Sequence, residues 1–355
     1  MAGGSKDRSA KEWEDAGKSA LLDLLADKFA VPWAEAEARI STQGWKDFPK
    51  VQPVQLGGAR RQLREEGQII EDVSNQQPPV HLVRLEFPAG DKRRLERLVG
   101  SKRKLYRKYL SWAGDQALCG KHGERVVIES LQAAASDAGL YVPKQSAGGV
   151  DQVKGVPIAR GPVDALAHVM ERDTAREAAV VLIEVKNINA WIYPQAQELW
   201  QVLVKAAALA PAMPVVPVLV CVRYAYPAQR MASDLGFFLC AMRDQVFSMS
   251  IDAEEFSAVA DEFGLLMVQH SGPLEAITAF FRATLRRSPP LSPPHGEDIE
   301  WFLRQAQRFQ TVAPVILKHS VLAEDINTDT RRNVFRSFAT QAMAACTWPT
   351  AHGWS

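Results

Sequence analysis

Two acidic residues and a lysine stand where charge is out of place. In the run Ala179-Val180-Val181-Leu182-Ile183-Glu184-Val185-Lys186-Asn187, Glu184 and Lys186 interrupt an apolar stretch rich in β-branched residues. Such a run predicts a strand at the buried centre of a sheet. Side chains alternate along a strand, so Glu184 and Lys186 share one face while Ile183 and Val185 point the other way. Charges at the end of an apolar strand are costly to bury and need each other, a metal or a substrate. Asp164 sits in the same way within Val163-Asp164-Ala165-Leu166-Ala167-His168-Val169, a second predicted strand. A hairpin-like connection can bring Asp164 beside Glu184. Two carboxylates converging on one point repel unless a cation lies between them. Hard oxygen ligands with open positions suit Mg2+, or Mn2+ in its place, and the carbonyl of Val185 could supply another oxygen. A metal held there polarises a phosphoryl oxygen and lowers the pKa of a bound water. Lys186 is placed to orient that water or to stabilise charge developing at phosphorus. These parts suit phosphodiester hydrolysis.

The elements that must position these residues are legible in the same region. His122–Leu131 opens a helix that ends near Gly139. Gly161-Pro162 leads into the Asp164 strand, and a polar loop, Glu171–Glu177, separates it from the next. After Pro194 the pattern predicts a long helix over Gln195–Leu209, a strand over Val215–Arg223, a short helix over Pro227–Gly236 and a further strand over Phe237–Ala241. This alternation predicts an α/β fold, a mixed central sheet with helices on both faces.

Taken together, Asp164 and Glu184-Val185-Lys186 resemble the motif of the PD-(D/E)XK superfamily, the restriction-endonuclease-like nucleases, over roughly Leu118–Phe247. The resemblance implies that Asp164 and Glu184 are metal ligands and that Lys186 assists the nucleophilic water. It also implies an acid on the first core helix, where Glu124 matches better than Glu129. In some branches a glutamine on the helix after the Glu-x-Lys strand takes part. Gln195, Gln197 and Gln201 are the candidates here, with Gln197 favoured. The chain departs from the pattern at one place: Val163, not proline, precedes Asp164, and the proline is one position earlier at Pro162.

Ahead of this core, residues 1–88 carry helical patterns over Trp13–Phe29, Trp33–Ile40 and Val54–Glu66. Two strand-like runs follow, Gln68–Val73 and Val80–Phe87, with Ser74–Pro79 as the turn between them. Three helices and then a hairpin is the order of a winged-helix domain, whose third helix would present Arg60, Arg61 and Arg64 to DNA. Residues 89–117 read as a basic linker helix. Within it Arg93, Arg94, Lys102, Arg103 and Lys104 are candidates for neutralising phosphates. The nuclease core is expected over 118–250, and a helical C-terminal region over 251–355, broken by a loop or linker at Arg287–Pro294.

Composition bounds the rest. The 355 residues are 47% hydrophobic and 23% charged, as in an ordinary globular protein. The formal net charge is +1, so only the distribution of charge points to nucleic acid. The four cysteines are scattered with no Cys-x-x-Cys pair, which argues against zinc or a disulfide framework and fits a reducing cytoplasm. The N-terminus lacks the apolar core of a signal peptide, and the apolar stretch Ala206–Val222 is broken by Pro211, Pro214 and Pro217, so no membrane span is expected. There is no P-loop and no Gly-x-Ser-x-Gly. The expectation is a cytoplasmic, Mg2+-dependent DNA endonuclease of restriction or phage-defence type. Its expected partners are DNA, a second copy of the chain and proteins of a defence system. The alternative is a DNA-binding regulator or adaptor whose nuclease-like domain is inert. A third reading has the N-terminal domain sense a small molecule or protein and gate the nuclease.

Overall fold

The computed structural model describes residues 8–72, 80–83, 89–138, 140–143, 149–170, 176–285 and 297–320. The turn Ser74–Pro79, most of the loop Glu171–Glu177, the break Arg287–Pro294 and everything from 321 onward lie outside the described residues. Contacts divide the chain into two units: one of residues 1–118 and 247–269, the other of residues 119–246 and 270–355.

In the first unit, helix α1 (Ala10–Lys28) opens on a capping box. The Ser9 hydroxyl accepts from the Glu12 N–H at 3.3 Å, and the Glu12 carboxylate accepts from the Ser9 N–H at 2.6 Å. Strand β1 (Ala30–Val31) leads to α2 (Trp33–Ala36), which continues as a π-helical turn, Glu37–Gln43. Helix α3 (Pro53–Glu65) starts on a proline, tolerated there because the first helical N–H has no partner in any case. Strands β2 (Ile69–Asp72) and β3 (Val80–Val83) are antiparallel, and β1 joins β3, giving the order β1-β3-β2. Leu21, Leu24, Leu25, Leu56, Leu63 and Ile69 form the core between helices and sheet. Helix α4 (Ala89–Gly114) runs unbroken through Gly100.

The second unit begins with α5 (Lys121–Ala138) and β4 (Leu140–Tyr141). A small ribbon, β5 (Gln152–Val153) and β6 (Val156–Pro157), precedes β7 (Ala165–Met170) and the long β8 (Glu177–Ile192). Then come α6 (Gln197–Leu209), β9 (Val215–Tyr224), α7 (Tyr226–Leu235) and β10 (Phe238–Ala241). After β11 (Gln245–Phe247) the chain forms α8 (Ala253–Phe263) and β12 (Met267–Gln269), which belong to the first unit, and then α9 (Glu275–Leu285) and α10 (Glu297–Ser320) of the second. Five strands form a mixed sheet in the order β10-β9-β8-β7-β4. β7 is antiparallel to β4 and β8, whereas β8, β9 and β10 run parallel. Parallel neighbours need a crossover, and α6 supplies the one from β8 to β9. Val180 and Leu182 of β8 pack with Leu199, Val202 and Leu203 of α6. By strand alternation Glu184 and Lys186 share that α6 face, while Val181, Ile183 and Val185 look to the other. Pro217 lies in β9 before β10 joins it at Val218, where a missing ladder donor is tolerated.

Two of the expected boundaries are corrected. Helix α4 is no linker but a packed helix of the first unit. Val99, Tyr109 and Trp112 are buried, Trp112 stacks on Phe256 of α8, and Tyr106 meets Phe263 edge-on. Nor is 251–355 a region apart. Phe309, Val312, Ala313 and Ile316 of α10 belong to the same core as α6 and β9. Both helices carry an apolar stripe that must be covered, and the nearest apolar surfaces are these. Gly236 ends α7 with φ of 80°, and a side chain there would collide with the backbone of Gln305 in α10. Among the described residues no helix is long and apolar enough to cross a membrane.

Phe309 is fully buried, so Phe309→Ala should cost about 3–5 kcal/mol, read as a lowered urea midpoint of the second unit. An unchanged midpoint would mean that α10 is not part of this core.

Candidate active site

The register Ala165↔Ile183 brings Asp164, at the mouth of β7, beside Glu184 on β8. Residues opposite each other in antiparallel strands point to the same side of the sheet. Asp164 is anchored there: its Oδ2 accepts the Val185 N–H at 2.7 Å. Glu184 is 5% exposed, so its carboxylate needs cationic partners to be buried at all. It has two. Lys186 Nζ donates to Oε1 at 3.0 Å and Lys205 Nζ donates to Oε2 at 3.0 Å. Lys205 comes from α6 and also donates to the Pro162 carbonyl at 2.6 Å.

Asp164 feels this crowding. Burial, the Glu184 carboxylate and the Glu124 carboxylate push its carboxyl up from 3.8 to about 6, against the opposing pull of the Val185 N–H and Lys186. Glu124 therefore lies near enough to act on Asp164 through its charge. It sits in the first turn of α5, which reaches the sheet through a close approach. A side chain at Gly123 would lie 2.6–2.8 Å from atoms of Asn187, the residue after Lys186. Asn187 is itself held by a buried polar latch. Its Nδ2 donates to the carbonyls of Cys119 at 2.9 Å and Val246 at 2.6 Å, and its Oδ1 accepts the Val246 N–H at 2.8 Å. Gln245 Nε2 donates to the Asn187 carbonyl at 3.1 Å. The latch and Gly123 together set β8 at Asn187 against the start of α5. Burial pushes the Cys119 thiol up to about 11, which makes it a structural rather than a reactive cysteine.

Asp164, Glu184, Val185 and Lys186 thus meet where β7 pairs with β8, and Glu124 acts on Asp164 through its charge. Gln197 is not among them. It opens α6 with its side chain exposed, and Gln201, one turn on, is exposed with it. Gln197, Gln201 and Lys205 follow one another at i, i+4 and i+8 along one side of α6, the first two exposed and the third buried against Glu184 and the Pro162 carbonyl. Lys205 was overlooked, although the sequence carries a sign of it: a lone cation in Leu203-Val204-Lys205-Ala206-Ala207-Ala208-Leu209 has to find a buried partner. His168 bonds Glu177 at 2.8 Å, further along β7 from Asp164, and is no part of the site.

The basic residues of the first unit divide into two sets. Arg61 and Arg64 on α3 and Arg93 and Lys104 on α4 are exposed. Arg60 lies over the Trp33 ring at 4.4 Å and is engaged within the unit. The side chain of Arg94 lies outside the described residues. Lys102 and Arg103 are corrected: both are buried and do not face solvent. Lys102 bonds the fully buried Glu35 at 3.0 Å and Glu262 at 3.3 Å. Burial holds the Glu35 carboxyl above its ordinary value, against the opposing pull of Lys102 and Arg39.

Among the described residues no three His, Cys, Asp or Glu side chains form a metal cage. The donor chemistry nonetheless fits a hard divalent cation. Mg2+ is ordinarily held through one or two carboxylates, with water or substrate oxygens completing the shell, and Asp164 and Glu184 are such a pair. No family model, curated protein or solved structure matches this chain.

A carboxyl whose pKa is higher folded than unfolded binds its proton more tightly when folded. The contribution of Asp164 to stability is therefore greatest below about 3.8 and is lost as pH rises through about 6. In chelating buffer Asp164→Asn should stabilise the protein at pH 8 by on the order of 2 kcal/mol, with the gain vanishing below pH 4. Thermal melts across pH check this; equal melting at pH 8 would show that Asp164 is not crowded by like charge.

Proposed function

We propose that this chain is a divalent-metal-dependent deoxyribonuclease that hydrolyses phosphodiester bonds. The reading is carried by one observation: Asp164, bonded to Val185, stands beside Glu184, with Lys186 on the same strand and Glu124 acting on Asp164 through its charge. A mixed sheet flanked by helices, with an acid-bearing helix ahead of it, agrees with a restriction-endonuclease-like core. DNA as substrate draws support from the first unit. Its three helices followed by antiparallel strands agree with a winged helix, and Arg61, Arg64, Arg93 and Lys104 offer exposed positive charge.

Asp164 and Glu184, with the Val185 carbonyl, would hold Mg2+ or Mn2+. When bound, the ion supplies Lewis-acid polarisation of the scissile phosphate and a water of lowered pKa. Lys186, with 23% of its side chain exposed, can leave Glu184 Oε1 to hold the attacking water or to counter charge growing on the phosphoryl oxygens. Glu124, on the opening turn of α5, adds negative charge beside Asp164 that a bound cation would offset. A restriction or phage-defence role, cleavage of both strands by a homodimer, cytoplasmic residence and partner proteins of a defence system follow by analogy with this architecture.

One observation favours the second reading, an inert adaptor. Both oxygens of Glu184 are already engaged by lysines, so the cluster partly neutralises itself. Supercoiled plasmid separates the two. With Mg2+ or Mn2+ the chain should nick or linearise it, chelator should stop the reaction, and Lys186→Ala or Asp164→Ala should slow it by about 10²–10³-fold or more. Binding without cleavage on unmodified, methylated, single-stranded and branched DNA would establish the adaptor instead.

DNA binding is testable by itself. Arg61→Ala with Arg64→Ala should weaken binding on all sequences and lower the salt slope by about one per lost phosphate contact. Lys102→Ala should lower the melting temperature and leave that slope unchanged. An identical slope in the double variant would remove α3 from the interface.

A further inference from the structure

We propose that Lys205 is a positioning residue: its buried ammonium group ties the two acid-bearing strand ends together in a metal-ready arrangement, leaving Lys186 as the lysine that serves the substrate. The proposal rests on the nuclease reading above and deepens it.

The geometry sets the two lysines apart. Lys205 is 7% exposed and lies among the buried residues Leu203, Val204, Ala206 and Ala207 of α6. A lysine is almost never so buried unless it is paired. Its ammonium group reaches two acceptors on two different segments. One is Glu184 Oε2 on β8 at 3.0 Å, and the other is the Pro162 carbonyl, two residues before Asp164, at 2.6 Å. A single cation thus fixes the segment leading to Asp164 against the carboxylate of Glu184. The helix that carries it is the crossover between β8 and β9, packed in the core of the unit. Lys205 is spent on these two acceptors, with 8% of its side chain exposed. Lys186 differs: its side chain is 23% exposed, and the bond to Glu184 Oε1 at 3.0 Å can be exchanged. The carboxylate of Glu184 is therefore shared between a fixed cation on one oxygen and an exchangeable one on the other. Partners that orient metal-binding carboxylates typically carry about 10–100-fold of metal affinity.

Isothermal titration of the purified full chain with Mn2+, without DNA, tests this, alongside thermal melts of each variant. Wild type should bind, and Asp164→Asn should abolish binding. Lys205→Met should raise the Mn2+ Kd by about 10–100-fold. Lys205→Arg, which keeps the charge and can span both acceptors, should recover most of that loss. In cleavage, kcat should fall in Lys205→Met while KM for DNA holds, because Lys205 does not meet DNA. Where Lys205→Met does not fold, Lys205→Gln takes its place, retaining a donor for Pro162 but not the charge. A folded neutral variant that binds Mn2+ as tightly as wild type overturns the role of Lys205 and leaves the nuclease reading intact. Failure of wild type itself to bind Mn2+ overturns both.

Discussion

The second unit is organised around the burial of one carboxylate. Glu184 lies in the middle of an apolar sheet, and withdrawing such a charge from water costs several kcal/mol unless close partners replace the lost solvation. The partners come from two directions: Lys186 from its own strand and Lys205 from the helix laid across it. This requirement constrains much of the architecture. Helix α6 must cross the sheet with Lys205 facing inward. The pairing of β7 with β8 must keep Ala165 against Ile183, because a slip of one residue would send Asp164 to the opposite face.

Asp164 shows why the solution is incomplete in a useful way. The lysines compensate Glu184, but Asp164 is left between two other carboxylates with a backbone N–H as its anchor. Its raised pKa expresses that tension, which either a proton or a cation relieves. Sites that store unfavourable interactions of this kind weaken the fold and are the usual places of function. The first unit meets a similar problem and closes it internally. Glu35 is fully buried, and Lys102 and Arg39 converge on it. The same residue types therefore build a structural ion cluster in one unit and a candidate reaction centre in the other. What separates them is like charge: neighbouring carboxylates help to raise the Asp164 carboxyl, whereas burial is what raises that of Glu35.

That contrast also sorts the basic residues. Positive charge along α4 looks uniform in the sequence, yet the helix buries one side. Lys102 and Arg103 turn inward and Arg93 and Lys104 outward. Only the outward set can contribute to a field felt by a polyanion, and that field supplies most non-specific nucleic-acid affinity.

Much of this protein was legible from the sequence alone. Local periodicity located β7, α6, β9, α7 and β10 to within two residues, because each buries a face whose repeat the chain spells out, whereas β8 runs five residues beyond the expected Asn187. Alternation put Glu184 and Lys186 on one face, and the isolation of Asp164 among apolar residues marked it as their partner. Tertiary structure decided what periodicity leaves open. Gln197 lies in solvent and Lys205 in the site although both fall along one side of α6, because only the later turn of that side is covered by Glu184 and the segment at Pro162. Lys102 was claimed by the interior because Glu35, 67 residues away, required a cation; Arg103, next in the chain, is buried as well. The close approach of α5 at Gly123 depends on a latch linking Cys119, Asn187 and Val246 across long stretches of chain. The sequence determined which residues stand out as candidates for chemistry, since charge in an apolar strand is a local anomaly; only the fold decided which cations answer them, since that depends on distance in space.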